Sequence, residues 1–156
     1  MPLSLALYQP DIPQNTGTIL RLCACLNVPV HIIHPTGFTF SDKIFRRSAM
    51  EYAAHVDLHE HDSFEHFQTW RSKTNTRLVL MSTKSSTSAY EFEYRPNDIL
   101  MAGRESAGVP DQVAKICDAR VRIPMREQLR SLNVAVSSAM IIGEALRCTT
   151  GFDDLQ

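Results

Sequence analysis

Short apolar runs alternate along this chain with segments of helical periodicity, and this alternation limits the possible folds more than any other feature. The apolar runs predict strands at residues 3–8, 28–34, 55–59, 77–81, 98–102 and 120–123. Helical patterns lie near residues 15–26, 41–50, 63–70, 111–117 and 132–148. Strands that alternate with helices in this way are typical of an α/β domain with a largely parallel sheet.

The length of the chain fits one domain. Its 156 residues suit one hydrophobic core, and no repeat or linker interrupts them. We therefore expect a single α/β domain over residues 1–156, with a mostly parallel six-stranded sheet and flanking helices. The apolar run at residues 3–8 is too short for a signal-peptide core, and no membrane span is evident, so we expect a cytoplasmic protein.

The last predicted helix is apolar around almost its whole circumference. Between residues 134 and 146, the apolar surface is interrupted only by Ser137, Ser138, Gly143 and Glu144. A helix that is apolar on all sides has to be buried on all sides. One face can pack on the chain's own sheet and a second copy can cover the other, so we predict a homodimer through this helix.

A first polar motif follows the first predicted strand and contains Asn15, Gly17 and Arg21. We expect Asn15 to cap the following helix by accepting a hydrogen bond from a backbone N–H of its first turn. The free N–H groups of a helix start also favour an anion such as phosphate. Arg21 lies about 200° around the helix axis from Ile19, which belongs to the apolar stripe, so it points away from the core. By itself this segment is better explained as an ordinary strand-to-helix turn.

A second motif, Gly103 to Pro110, follows the strand predicted at residues 98–102. Ligands bind at the carboxyl ends of strands in open α/β sheets. Glycines let the backbone approach a ligand closely, and Glu105 could order the loop or accept hydrogen bonds. The loop lacks the Lys and Ser/Thr of a P-loop, and no G-x-G-x-x-G follows the first strand.

A third motif precedes the last helix and consists of Ile123, Pro124 and Met125 followed by Ser131, Leu132 and Asn133. Ser131 is the expected cap of that helix. Asn133 is a polar residue at a position where the pattern favours apolar ones. Because a buried Asn needs hydrogen-bond partners, Asn133 is either a structural link or part of a site.

Taken together, the order and spacing of these motifs resemble the SPOUT superfamily of RNA methyltransferases. The resemblance covers nearly the whole chain and is closest to the small branch that methylates the ribose of the tRNA wobble nucleotide. It extends to Lys43, Arg46 and Arg47, and to the Thr83-Lys84 pair. The chain departs from the pattern at Val136, where many members have a second Asn, and near Gly143, where many have a Tyr.

The resemblance implies a C-terminal trefoil knot that binds S-adenosylmethionine, with S-adenosylhomocysteine as the product, and a dimer packed through the helices of the knot. The cofactor-binding residues that it implies are Met81, Gly103, Glu105, Gly108, Ile123, Met125, Ser131 and Leu132. The catalytic residues that it implies are Asn15, Arg21 and Asn133. Arginine stays protonated in proteins, so we interpret Arg21 as a fixed cation that binds a phosphate and stabilises developing alkoxide charge.

The implied substrate is tRNA, although the net charge of −1 gives the protein no general attraction for nucleic acid. The candidates for phosphate contacts are Lys43, Arg46, Arg47, Lys84 and Arg104. A solvated surface is the alternative interpretation of each basic cluster. We expect no metal, because no Cys, Asp or Glu stands at ligand spacing from the pair His59 and His61.

Two other functions stay open at this point. The first is a ribose methyltransferase that acts on ribosomal RNA or on another tRNA position. The second is a non-catalytic α/β module that binds a nucleotide or a flavin, which would leave Asn15 and Arg21 without a task.

Overall fold

The computed structural model describes residues 2–39, 43, 47 and 49–156, except for the side chains of residues 50 and 51. The strands of this part are β1 (Ser4–Tyr8), β2 (Val30–Ile33), β3 (Leu58–His61), β4 (Leu78–Met81), β5 (Ile99–Ala102) and β6 (Ala119–Val121). The α-helices are α1 (Pro13–Cys25), α2 (Phe64–Arg71), α3 (Asp111–Ile116) and α4 (Val134–Cys148). A short 3-10 helix covers Met50–Ala54.

Within the described residues, the strands form one six-stranded sheet in the order β3-β2-β1-β5-β4-β6. Every neighbouring pair is parallel, which confirms the predicted fold class. The strand β5 lies between β1 and β4, with Leu7 beside Ala102 and Met81 beside the same residue on its other side. The carboxyl ends of the three strands therefore meet at one edge. The trefoil knot stays a prediction.

Apolar side chains cover both faces of the sheet. In β1, Leu5 and Leu7 face the cluster that packs under α1 and α4, whereas Ala6 and Tyr8 face the cluster under α2 and α3. Successive side chains of a strand point to opposite faces, so a strand buried on both faces needs a continuous apolar run. The burial of each large aliphatic side chain contributes about 1.5–3 kcal/mol, which makes these runs the main source of stability.

Several predicted boundaries are wrong by a few residues. The strand predicted at 55–59 is β3 at Leu58–His61, because pairing begins where Leu58 lies beside Val30 and His55 still ends the 3-10 helix. The helix predicted at 41–50 falls mostly outside the described residues. Within this range, Lys43 and Arg47 are described and are helical.

Both predicted helix caps are also wrong. Asn15 lies inside the first turn of α1, which begins at Pro13 and has Ile12 as its capping residue, without a side-chain hydrogen bond. Proline is favoured at a helix's first position because its fixed φ suits the helix, and because the N–H that it lacks would have no hydrogen-bond partner within the helix. Ser131 precedes α4 by three positions, and the side chain of Asn133 caps that helix instead.

The helix α4 presents two different faces. Ile141, Ile142 and Ala145 are fully buried against the sheet and α1. On the outer side, Val136 is 50% exposed and Met140 is 39% exposed. The chain thus buries only one apolar face of this helix, and the predicted dimer stays a prediction. Across the described residues, no helix has both the length and the apolar character needed to cross a membrane.

A buried histidine of β2 packs against β3 and α2. His31 is fully buried, and its Nδ1 lies 3.0 Å from Nε2 of His61. Its ring stacks on His59 with 4.9 Å between centroids and contacts Trp70 at 4.5 Å. Burial is the main reason that the pKa of His31 is lowered to about 3, and repulsion from His59 and His61 contributes in the same direction. The folded protein therefore holds His31 neutral.

This histidine predicts that the fold loses stability in mild acid. The pKa of His31 falls from 6.5 in an unfolded chain to about 3 in the folded one. Below about pH 6.5 His31 is protonated in the unfolded chain but stays neutral in the folded one, so the free energy of unfolding falls as the pH falls. We expect His31 to contribute about 2 kcal/mol to the loss measured in urea titrations between about pH 7 and about pH 5, and His61, whose pKa burial also lowers, to add to that loss. Over this interval the free energy of unfolding of His31→Phe should fall by about 2 kcal/mol less than that of wild type. The exposed control His66→Gln should lose as much as wild type. If the free energy of unfolding depended on pH equally in all three proteins, His31 would not be the group responsible.

Candidate functional site

A cavity of about 520 Å³ opens at the carboxyl ends of β4 and β5. Most of its wall comes from three chain segments: residues 80–84 at the end of β4, residues 102–109 at the end of β5, and residues 131–134 at the start of α4. Asp111, Ala114, Arg120 and Ser137 complete the wall. We call this cavity the larger cavity. This is the edge at which open α/β sheets bind ligands, and the volume falls in the range of about 300–1,000 Å³ typical of small-molecule sites.

A smaller cavity of about 70 Å³ adjoins it and shares Met81, Ser131 and Leu132 with it. Ile123 and Met125 line only the smaller one. Each residue predicted to bind the cofactor thus lines at least one of the two cavities: Met81, Gly103, Glu105, Gly108, Ile123, Met125, Ser131 and Leu132. The structure brings these residues together, and their role in binding stays a prediction.

The loop of residues 103–108, here called the glycine loop, folds tightly back on itself. The Arg104 N–H donates to the Gly108 carbonyl at 3.0 Å, and the Gly108 N–H donates to the Arg104 carbonyl at 2.8 Å. A Cβ on Gly103 would lie 2.8 Å from the backbone of Gly108, and Gly108 itself has φ +65°. Both positions therefore require glycine, the first for lack of space and the second for its left-handed backbone.

Asp11, which the sequence analysis missed, ties the glycine loop to the start of α1. Its N–H donates to Oε2 of Glu105 at 3.1 Å, and the Glu105 N–H donates to Oδ1 of Asp11 at 3.2 Å. The Ser106 hydroxyl also donates to the Asp11 carboxylate, and Nη2 of Arg104 lies 3.5 Å from it. An acidic residue just beyond the end of a parallel strand was the available signal.

The pKa values of the two carboxyl groups of this link are shifted in opposite directions. The hydrogen bond with the Glu105 side chain lowers the pKa of Asp11, with further lowering by Ser106 and Arg104 against an opposing effect of burial. Burial raises the pKa of Glu105, and the neighbouring Asp11 raises it further. Of the two carboxyl groups, Glu105 is therefore the one that binds a proton first as the pH falls.

A second polar link joins α1 to α4. The Nδ2 of Asn133 donates to Oδ1 of Asn15 at 3.0 Å, and Oδ1 of Asn133 accepts from the N–H groups of Ala135 and Val136. Asn133 lines the larger cavity and is exposed, so it is not the buried asparagine that the apolar pattern predicted. Of the two interpretations made from the sequence, the structural link is present, and it lies beside the cavity.

Arg21 is exposed on α1 and lines neither of the two cavities. The carbon at the centre of its guanidinium group is 4.7 Å from the centroid of the Tyr52 ring. Among the residues that the structure describes, it makes no hydrogen bond and no ion pair. Tyr52 was not singled out from the sequence, because nothing local links it to a residue so far away in the chain.

The predicted RNA-binding residues occupy different surroundings. Lys84 and Arg104 line the larger cavity, and Arg104 also pairs with Asp11. Lys43 and Arg47 are exposed, and Arg46 lies outside the described residues. Within the described part of the chain, no group of three or more His, Cys, Asp or Glu side chains is arranged to hold a metal ion.

Comparison with known proteins gives a consistent result. The model of a family described as SpoU rRNA methylase matches residues 2–143. A tRNA (cytidine(34)-2′-O)-methyltransferase of Beijerinckia indica is 59% identical over 143 residues, which cover 92% of this chain and 89% of the relative. A protein of the same name from Ancylobacter novellus is 48% identical and covers 97% and 96%. A solved structure described as "Structural insights into the 2-OH methylation of C/U34 on tRNA" superposes with a TM-score of 0.89, at 40% identity, over 96% of this chain and 97% of that one.

The link through Asp11 predicts the effect of removing its carboxylate. In Asp11→Ala the Glu105 N–H and the Ser106 hydroxyl lose their acceptor, so the glycine loop should open more often. We expect the backbone amides of the loop to exchange with deuterium about 10- to 100-fold faster, since hydrogen bonds to charged groups contribute about 1.5–3 kcal/mol. Asp154→Ala, at an exposed position, serves as the matched control. Unchanged exchange in the loop of Asp11→Ala would show that this link does not order it.

Proposed function

Because this chain belongs to the SpoU rRNA methylase family, we propose that it transfers a methyl group to the ribose 2′-hydroxyl of the wobble nucleotide, C34 or U34, of tRNA. The chain is a methyltransferase, and its similarity to tRNA (cytidine(34)-2′-O)-methyltransferases extends over almost the full length of both partners. The observation on which the proposal depends is that the three sequence motifs converge at one edge of the sheet. The cytoplasm is the expected location.

The methyl donor in this proposal is S-adenosylmethionine, held in the two adjoining cavities. Their walls combine apolar side chains, such as Leu80, Val109 and Ile123, with the tightly folded backbone of the glycine loop. The apolar part of this lining would suit a flat, uncharged ring such as adenine, and the larger cavity also presents polar side chains, among them Lys84, Glu105 and Ser131. S-adenosylmethionine would supply here an electrophilic methyl group attached to a sulfonium sulfur.

The protein's own contribution to the reaction is position and charge. Methyl transfer needs the ribose oxygen in line with the methyl carbon, and holding the two in place can account for much of the rate. Asn15 and Asn133, joined beside the larger cavity, fix the start of α1 relative to its wall. Arg21 would bind the adjoining phosphate and stabilise the alkoxide that develops as the hydroxyl loses its proton. An RNA phosphate or a water would accept that proton.

Binding of the anticodon arm would use the local basic groups around this edge. Lys84 lines the larger cavity, and Lys43 and Arg47 are exposed. Arg104 would contribute less than the sequence suggested, because its guanidinium group already pairs with Asp11. These contacts are with the sugar-phosphate backbone, so they would position the RNA without reading the base.

A homodimer through α4 completes the proposal. Val136 and Met140 form an exposed apolar face on this helix, and Leu129 and Leu132 just before it are 64% and 39% exposed. A second copy that packs on this face would remove these side chains from water. The predicted trefoil knot belongs to the same region, where residues 131–134 pass beside the turn after β4 and the glycine loop.

Nucleoside mass spectrometry of tRNA tests the reaction. Incubation of unmodified tRNA with the protein and S-adenosylmethionine should give 2′-O-methylcytidine or 2′-O-methyluridine, which maps to position 34. In Arg21→Ala the rate should fall by about 100-fold or more, as for the loss of one group that stabilises an oxyanion. Arg21→Lys should also lose most activity, because a lysine cannot bind a phosphate in the bidentate manner of arginine. Arg95→Ala, an exposed arginine just before β5, should keep the wild-type rate.

Each alternative gives a different result in the same experiment. Methylation of ribosomal RNA, or of another tRNA position, would replace the substrate but keep the chemistry. No methylated nucleoside in any RNA, together with tight binding of a flavin, would favour the non-catalytic module. Near-wild-type turnover of Arg21→Lys would contradict the proposed bidentate role of Arg21.

The dimer has its own test by sedimentation velocity. Met140→Glu places a carboxylate in the centre of the proposed interface, where it would lose its hydration without a partner, so we expect a monomer. Ile116→Glu, on the exposed side of α3, changes an apolar residue of similar exposure, 46%, and should remain a dimer. A dimer that withstands Met140→Glu would place the interface elsewhere.

A further inference from the structure

Tyr52 is the one aromatic side chain stacked on Arg21 among the described residues. It lies in the 3-10 helix Met50–Ala54, which packs against α1, and its side chain is half-buried. The guanidinium carbon of Arg21 sits 4.7 Å from the ring centroid, within the roughly 6 Å at which a cation is attracted to an aromatic face. Tyr52 therefore holds the side chain of an exposed arginine that has no other partner in the described part of the chain.

Arg21 lies over the ring of Tyr52 and makes no hydrogen bond to a described residue, so its hydrogen-bond donors are available. The N–H groups of a guanidinium radiate in its plane, whereas the cation–π contact uses its face. An acidic partner would restrain the side chain equally well but would occupy the donors and neutralise the charge. A tyrosine ring restrains the group and keeps both its charge and its N–H groups for a phosphate or a developing alkoxide.

A second stacked arginine in the same chain shows the contrast. Arg77 lies over Phe92 at 4.8 Å, but its Nε and Nη2 donate to the Asp98 carboxylate at 2.9 and 2.7 Å. Its Nη2 also donates to the carbonyl of Glu93. The donors of Arg77 are thus used within the fold, as expected for a structural arginine. Arg21 has the same kind of aromatic support without those acceptors.

We propose that Tyr52 is a positioning residue for Arg21: its ring orders the guanidinium group in advance of RNA binding and leaves the group's donors free. The role rests on the proposed function, since it requires Arg21 to act on the RNA. An arginine loses considerable rotamer freedom when it is immobilised. A ring that restrains the side chain beforehand reduces that loss in the transition state, so its removal should lower kcat more than it raises KM for S-adenosylmethionine.

The kinetic test compares substitutions that separate the ring from the hydroxyl group. Tyr52→Phe keeps the aromatic face and should remain within about 2-fold of wild-type kcat, whereas Tyr52→Leu should lower kcat about 3- to 30-fold, the range expected for a cation–π contact. KM for S-adenosylmethionine should stay unchanged in both. Tyr90→Leu, a tyrosine that is 47% exposed and has no ring or cation contact among the described residues, is the matched control.

A double substitution decides whether Tyr52 acts through Arg21. In an Arg21→Ala background, Tyr52→Leu should have no further effect on kcat, because the group that it positions is gone. A further loss in that background would overturn the proposal, as would wild-type kcat in Tyr52→Leu. Equal losses in Tyr52→Phe and Tyr52→Leu would also overturn it, since the hydroxyl group would then be the part that matters.

A measurement that does not depend on enzymatic activity tests this inference separately from the proposed function. The ring current of Tyr52 should shift the NMR signals of the Arg21 Nε–H and δ protons in wild type and in Tyr52→Phe, and the shift should be lost in Tyr52→Leu. If wild type methylates no RNA but these shifts are present, the contact exists and the proposed function has failed. If wild type is active and the shifts are absent in the free protein, the proposed positioning role has failed.

Discussion

The position of β5 between β1 and β4 is the constraint on which the candidate site depends. All three strands are parallel, so their carboxyl ends open at the same edge of the sheet. The register sets Leu7 beside Ala102, and the chain segments that follow these two residues therefore leave the sheet side by side. That proximity allows Asp11 and Glu105, which are 94 positions apart, to exchange hydrogen bonds through backbone and side chain.

Two polar links add to the apolar packing of α1 against α4 in holding the parts of the site together. One link joins Asp11 to the glycine loop, and the other joins Asn15 to Asn133 across 118 positions of sequence. Both begin in the segment that enters α1, so the position of this helix is coupled to the wall of the larger cavity at two points. Hydrogen bonds that are partly open to water contribute only modestly to stability, so we expect these links to open more readily than the buried sheet beneath them.

The charge distribution leaves some positive charge unneutralised locally in a protein with a net charge of −1. Several of the arginines are neutralised within the fold, as Arg77 is by Asp98 and Arg71 by Asp118. The exposed Arg21 differs because an aromatic ring, which carries no charge, supports it. Local availability of positive charge and of N–H donors, more than the total charge, then determines where a phosphate can bind.

The resemblance to the SPOUT superfamily supplied the candidate cofactor-binding residues, all of which line one of the two cavities, whereas periodicity was enough to predict the parallel α/β fold and six strands near their observed positions. These properties are local, because burial on one or both faces is recorded in a few consecutive residues. The start of β3, the caps of α1 and α4, and the exposure of Asn133 were predicted wrongly, since each depends on which distant segment lies alongside. The parts played by Asp11 and Tyr52 could not be recognised at all from the sequence. Their partners are brought to them only by the strand order and by the packing of the 3-10 helix on α1, and both arise from the burial of apolar surface over the whole chain.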